Sequence, residues 1–310
     1  MAGLVGIDNA AAEYVTAPLE EIFARAFDDC AYDIAELSFS NYLFLTSIGN
    51  CPYIGLPVFP SRAFRHSAIF IRTDRNIRGP RDLVGRTIGV REFSMTAALV
   101  ARGVLEDDFG VCATEVRWRY GPADAEDSDP IVRMKPRGID LEPLTGGSNL
   151  SDALRDGEID ALVAYKPPPA YLEGAPNVDR LFVDYEVIEA DYARRTGIFP
   201  IMHLLGIQRE IAERDPGLCL RVCDAFEVSR RYAVERTNES QAPFSSLPWA
   251  PSEAERSRQV LGDNFWAYGV DPNRPALEAL CRYSFDQGIS TRPVIVDELF
   301  VAATLGWPPG

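Results

Sequence analysis

The chain has 310 residues, 46% hydrophobic and 25% charged, a composition that fits one large or two medium globular domains and excludes a disordered or fibrous protein. Its 46 acidic and 31 basic side chains give a formal net charge of −15, which argues against non-specific binding to nucleic acid or to an anionic membrane surface. A basic pocket for a small anion remains compatible with that surplus.

No apolar run reaches the ~18 residues of a membrane span. No basic stretch followed by a long apolar one marks a secretion signal. The six cysteines form no CxxC pair, and Cys219 and Cys223, four apart on a predicted helix, read as core. The expectation is reduced thiols and a cytoplasmic protein.

In chain order, residues 18–28 have helical spacing, with Ile22, Phe23 and Phe27 on the apolar side. Residues 32–39 alternate like a strand. Ser40 follows as a candidate N-cap for a helix that stops at Gly49. Residues 51–59 read as a strand broken by prolines, and 67–72 as another strand. A turn-rich helix start at Pro80–Gly85 precedes a strand at 87–90. Ser94 is a candidate cap for a helix over 95–105 that ends by Gly110. Residues 116–120 form a strand, and 121–130 an acidic loop. In 145–157, TGGSNLSDALRDG reads as a glycine turn and a helix. A buried strand at 159–164 is stopped by Lys166–Pro169, a short strand covers 181–183, and a polar helix covers 184–195. After an extended apolar run at 197–206, helices are expected over 216–236, 252–267, 275–288 and 297–305. This order, β and α alternating and then mainly helix, predicts an α/β protein with parallel sheet covered by helices.

The stretch VFPSRAFRHSAIFI, residues 58–71, sets Arg62, Arg65 and His66 within five residues between two apolar runs. Two fixed cations and a group that titrates near neutrality suit a small dianion. The second of the two histidines, His203, ends the run TGIFPIMH. Against this stands the plainer view that the arginines are surface ion-pair partners and that both histidines are core.

Several runs resemble the 4,5-dihydroxyphthalate decarboxylase family: AELSFSNYL, PVFPSRAFRHSAIFIR, DLVGRTIGVREFSMTAALVARGVL, LSDALRDGEIDALV, TGIFPIMHLLGI and NFWAYGVDPNRPALEALCRYSFDQGIS. They follow in order from about residue 20 to about residue 300. FPSRAFRHS and TGIFPIMH are the specific ones; GEIDAL and DLVGRTIGV recur across type II periplasmic-binding-protein-like folds. The resemblance implies that fold, with two lobes and a ligand cleft between them. Lobe one would be 1–89 and 196–310, lobe two 90–195, with crossovers near 89–92 and 184–196. It also implies a further strand and loop ahead of residue 1, whose ligand contacts cannot be assigned to this sequence.

The activity implied is cytoplasmic, non-oxidative decarboxylation of a small dihydroxylated aromatic dicarboxylate, with no redox cofactor. Two alternatives stay open: a decarboxylase for another hydroxylated aromatic acid, or a binder or sensor that does no chemistry. His66 and His203 are the candidate proton-transfer groups. Arg62 and Arg65 are candidates for holding a carboxylate with forked hydrogen bonds. Ser94 and Thr96, at a helix start after a strand, suit a carboxylate on free N–H groups, or simple capping. Glu92 would orient a histidine or a hydroxyl, or pair with the helix dipole. Ser38, Ser40 and Tyr165 would line the cleft, and Gly146, Gly147 and Ser148 are a weak anion-turn candidate. Two histidines and a catechol leave a divalent metal open, although no ligand-like spacing such as HxxxH supports one. Trp249, Trp266 and Tyr268 read as packing aromatics. Self-association is left open.

Overall fold

A computed structural model describes residues 5–127, 134–145, 149–237 and 246–307. The glycine turn at Gly146, Gly147 and Ser148 lies outside the described residues. Two sheets organise the chain. The first has three strands: β1 (Ile34–Ser38), β2 (Tyr53–Arg62) and β9 (Ile201–Gln208), in the order β1-β9-β2, with β9 antiparallel to both neighbours. The second has six: β3 (Ile69–Arg72), β4 (Thr87–Val90), β5 (Arg117–Tyr120), β6 (Asp140–Pro143), β7 (Ala161–Val163) and β8 (Val178–Arg180), in the order β6-β5-β4-β7-β3-β8. Its centre is parallel, and β3 runs antiparallel between β7 and β8.

The helices are α1 (Leu19–Asp29), α2 (Phe39–Ser47), α3 (Thr96–Phe109), α4 (Leu150–Asp156), α5 (Pro169–Leu172), α6 (Tyr185–Thr196), α7 (Arg209–Arg214), α8 (Pro216–Thr237), α9 (Ala250–Leu261) and α10 (Arg274–Asp286). Helix α3 is buried along most of its length and packs on α2 and α10 as well as on β9. Among the described residues no helix is long and apolar enough to cross a membrane.

Several boundaries depart from expectation for identifiable reasons. β3 and β4 already belong to the six-stranded sheet, so the second lobe begins near residue 63 and not at 90. The chain changes sheets at 63–68 and again at 197–200, not at 89–92 and 184–196. Pro57 and Pro60 do not break β2. The ladder pairs Leu56 with Leu205 and next pairs Ser61 with His203, so the prolines, which lack an N–H, fall where β2 bulges away from β9. Ser38 occupies the N-cap position of α2, with Ser40 inside the first turn; Met95, not Ser94, precedes α3, and neither N-cap residue caps its helix with its own side chain. β8 lies at 178–180 rather than 181–183, β6 was not expected, and α9 stops at Leu261. The helix expected over 297–305 is two short 3-10 turns. Trp249 is exposed, whereas Tyr268 is buried and the Trp266 indole donates to the Phe59 carbonyl at 3.0 Å. Cys219 and Cys223 are buried on α8, as expected of core residues.

Gly55 and Gly206 face each other in the β2–β9 ladder. A Cβ on Gly55 would sit 2.6 Å from the Leu299 carbonyl oxygen, and one on Gly206 would collide with Leu37. Glycine there lets the returning C-terminal segment close over the sheet.

Candidate active site at the crossover strands

The two crossovers lie side by side. The Ala63 N–H donates to the Pro200 carbonyl at 3.1 Å, and Phe64 stacks on Phe199 with ring centroids 5.0 Å apart. Arg62, Arg65 and His66 stand on the first crossover or at its entry, and His203 is the third residue of β9 after the second. The backbone then sends these four side chains to different surroundings.

Arg62 is buried and committed to protein acceptors. It donates to the Phe199 carbonyl at 3.1 Å, the Ala267 carbonyl at 2.7 Å and Asn273 Oδ1 at 2.5 Å, with the Phe59 and Phe199 rings beside it. Burial pushes its guanidinium down to about 9. With both terminal nitrogens engaged, Arg62 clasps the hinge to the C-terminal segment. That geometry speaks against the substrate-gripping role expected of it.

Arg65 is different. Its Nε reaches Met202 Sδ at 3.2 Å, and its Nη1 reaches the Tyr165 carbonyl at 3.5 Å, a long contact. Among the described residues no carboxylate lies within ion-pair distance of it. Burial pushes it down to about 10, and the more distant Glu189 partly offsets that. Glu189 is itself buried, accepts from the Ser67 N–H at 3.0 Å, and is pushed up by burial. A half-buried guanidinium without a close counter-charge favours an anion.

His66 is 1% exposed, and neither ring nitrogen has a partner. The Phe182 and Tyr192 rings meet it edge-on at 5.5 and 5.3 Å. Burial pushes the imidazole down to about 4, so it is neutral near pH 7. The expected acid/base role does not match an enclosed, uncharged ring.

His203 Nδ1 lies 2.6 Å from Glu36 Oε1, and the Phe23 ring of α1 meets the imidazole edge-on at 5.0 Å. The His203 side chain is 15% exposed, and its Nε2 is not among the buried unpartnered atoms. One nitrogen is therefore held by a carboxylate while the other is open to a ligand. In the ladder His203 is paired with Ser38 on one side and Ser61 on the other.

The helix starts converge beside it. Ser38 Oγ lies 3.1 Å from Thr96 Oγ1, and the Ser40 N–H donates to Thr96 Oγ1 at 3.0 Å, which joins the N-termini of α2 and α3. The Ser40 hydroxyl and Asn41 Oδ1 are buried without partners. Ser94 is buried just upstream. Glu92 pairs with Arg91, which also holds Asp127 at 2.7 Å, so the carboxylate found on a histidine is Glu36 and not Glu92. Tyr165, raised chiefly by burial, follows β7 and contacts Arg65 through its carbonyl.

The fold thus groups His203, Ser38, Ser40 and Thr96; Arg65 reaches Met202, whose side chain leaves β9 on the face opposite His203, and the Tyr165 carbonyl, and Arg62, His66 and Glu92 lie outside the group. Glu36, Ser61 and Phe23 were missed from the sequence. The signal for Glu36 was present: in β1 it stands two residues from Ser38, hence on the same face of the strand. Among the described residues no group of three or more histidine, cysteine or acidic side chains converges in a way that could hold a metal ion.

No family model matches the chain. Over 304 residues it is 38% identical to the 4,5-dihydroxyphthalate decarboxylase of Comamonas testosteroni, which spans 98% of this chain and 92% of that protein. The chain belongs to the 4,5-dihydroxyphthalate decarboxylase family. A second member, from Pseudomonas putida, is 40% identical over 193 residues, 62% of this chain and 75% of that protein. Among solved structures, a putative periplasmic sulfonate-binding protein from Methylobacillus flagellatus superposes with a TM-score of 0.50 at 12% identity, covering 91% of this chain and 76% of that one. That likeness concerns fold alone, and it places this family member in the type II periplasmic-binding-protein-like class expected from its sequence.

Proposed function

We propose that this protein is a carboxy-lyase that converts 4,5-dihydroxyphthalate to 3,4-dihydroxybenzoate and carbon dioxide. The observation that carries the reading is the identity of 38% to a decarboxylase of that name along 98% of the chain. The crossover geometry supplies groups suited to the chemistry. Arg65, half-buried and without a close counter-charge, would hold the carboxylate that stays. The second carboxylate, the one that leaves, would lie toward the paired helix starts at Ser38, Ser40 and Thr96.

The ring hydroxyl para to the leaving carboxylate gives its proton to water, and the phenolate pushes an electron pair toward the carbon that bears that carboxylate. His203, protonated and paired with Glu36, delivers its Nε2 proton to that carbon. The carbon–carboxylate bond then breaks, its electron pair restores the aromatic phenolate, and carbon dioxide departs. The phenolate takes back the proton it gave to water, and neutral His203 takes one proton from solvent. The net change is one proton in and one carbon dioxide out, so no oxidant or reductant is consumed. A protein that only bound the dicarboxylate would need Arg65 and the helix starts but not an open imidazole nitrogen backed by a carboxylate.

Purified protein incubated with 4,5-dihydroxyphthalate should release 3,4-dihydroxybenzoate, followed by chromatography. His203→Asn, still folded, should lose roughly 10²- to 10⁴-fold in kcat with KM within a few-fold, the range of a positioned proton transfer. Full activity in that variant would refute the assignment of the proton donor, and absence of product with the parent protein would refute the reaction.

A further inference from the structure

We infer that Glu36 is the positioning residue of the site: its carboxylate fixes His203 with Nδ1–H turned inward and Nε2 turned to the substrate. The inference rests on the decarboxylase reading but stands on its own geometry. Glu36 Oε1 lies 2.6 Å from His203 Nδ1, the length of a strong charge-assisted contact. The two residues sit on neighbouring strands at a diagonal offset, since Glu36 pairs with Leu205 and Ser38 pairs with His203. Diagonal neighbours on one sheet face are within reach of long side chains, and the backbone ladder fixes that offset.

The charge of Glu36 is not spent elsewhere. Among the described residues its one ion-pair partner is His203, although the chain carries 31 Lys and Arg. The groups facing the pair come from three directions. α1 contributes the uncharged Phe23; its own Glu21 and Arg25 pair with each other, and the charge of its Glu20 reaches Tyr165 and Arg91. β2 contributes Ser61. The segment before α10 contributes Tyr268, which feels the charges of Glu36 and Glu227 and is kept protonated chiefly by burial.

A histidine whose Nδ1–H is held by a carboxylate has one tautomer available when neutral and a stabilised cation when charged. After the proton passes from Nε2 to the ring carbon, the Nδ1–H stays on Glu36 and the lone pair stays on Nε2, ready to take a proton from water. Without the carboxylate, the ring samples both tautomers.

The test uses Glu36→Gln, which keeps the shape and removes the charge, and Glu36→Asp, which keeps the charge on a shorter arm. The readouts are kcat and KM against pH and the nitrogen-15 shifts of the imidazoles in the ligand-free protein. The chain has two histidines, so a His66→Leu background leaves one signal. Expected is a fall in kcat of about 10- to 100-fold for Glu36→Gln, with KM within about twofold. The spectrum should change from a single Nδ1–H tautomer to a mixture, and Glu36→Asp should recover part of both effects. A fall in kcat with the tautomer unmoved would reduce Glu36 to packing and overturn the inference, as would unchanged kcat. An inactive parent protein with the Nδ1–H tautomer intact would instead overturn the decarboxylase reading, and with it the role of Glu36 in that reaction. If Glu36→Gln does not fold, the parent spectrum and Glu36→Asp decide: a parent tautomer mixture, or an unchanged tautomer at full kcat in Glu36→Asp, overturns it.

Discussion

Replacing Arg65 with methionine should strengthen the fold while weakening substrate binding. Burial lowers the Arg65 guanidinium from its ordinary value to about 10. At ~1.4 kcal/mol per pKa unit this is ~3 kcal/mol held against the charged form. The sign follows from the direction. A cation depressed in the folded state binds its proton more weakly there than in the unfolded chain, so its penalty is complete at every pH below about 10 and fades only above that. At neutral pH methionine removes the penalty and forfeits the hydrogen bonds to Met202 Sδ at 3.2 Å and the Tyr165 carbonyl at 3.5 Å. Each is worth at most about 1 kcal/mol. The net gain is ~1–2 kcal/mol, or about 2–4 °C in Tm for a chain of this size. A hydrogen bond from a guanidinium to the substrate carboxylate is worth ~1.5–3 kcal/mol, so without it KM should rise about tenfold to hundredfold. Thermal denaturation at pH 7.5 with and without 4,5-dihydroxyphthalate, together with KM, reads both effects. A Tm several degrees lower with KM unchanged would show that Arg65 is a structural clasp and refute the reasoning.

Arg62→Met should do the opposite: burial holds ~5 kcal/mol against the Arg62 cation, but three close hydrogen bonds from a charged group, ~1.5–3 kcal/mol each, are lost and the Phe199 and Ala267 carbonyls and Asn273 lose their donor, so urea unfolding should show a net loss of stability with substrate affinity of the folded fraction retained. His66→Leu should keep turnover within a few-fold. Because His66 is lowered to about 4, the parent protein loses stability as pH falls from about 6.5 toward 4, by ~2 kcal/mol at pH 5; the leucine variant should lack that component when urea midpoints at pH 7 and pH 5 are compared. An identical acid slope in both proteins would contradict the burial argument. Together with His203→Asn and Glu36→Gln, these variants separate chemistry, binding and hinge.

Much of the α/β order was legible because it is local. Glycines at the ends of α3, α4 and α6 adopt left-handed conformations that stop those helices, and short apolar runs gave β4 and β7. Caps failed where a serine stood one or two residues from the true helix start, since short-range propensity does not select among neighbouring donors. The prolines of β2 misled because their effect depends on whether a partner strand needs their missing N–H, and β9 lies 140 and more residues away in sequence at every pairing but one. Family resemblance carried the fold and the reaction further than residue patterns did.

The sequence by itself determined the strand and helix periods, the crowding of Arg62, Arg65 and His66 into one short span, and the presence of a second histidine. Only the tertiary structure decided what each of them does. A bulge and a crossover turn three neighbouring side chains into a clasp, an unpaired cation and an enclosed neutral ring. The β1–β9 register brings Glu36 to His203 across 167 residues. Charge and proton affinity depend on desolvation and on partners within a few ångströms, and those are properties of the packed sheets rather than of the order of residues along the chain.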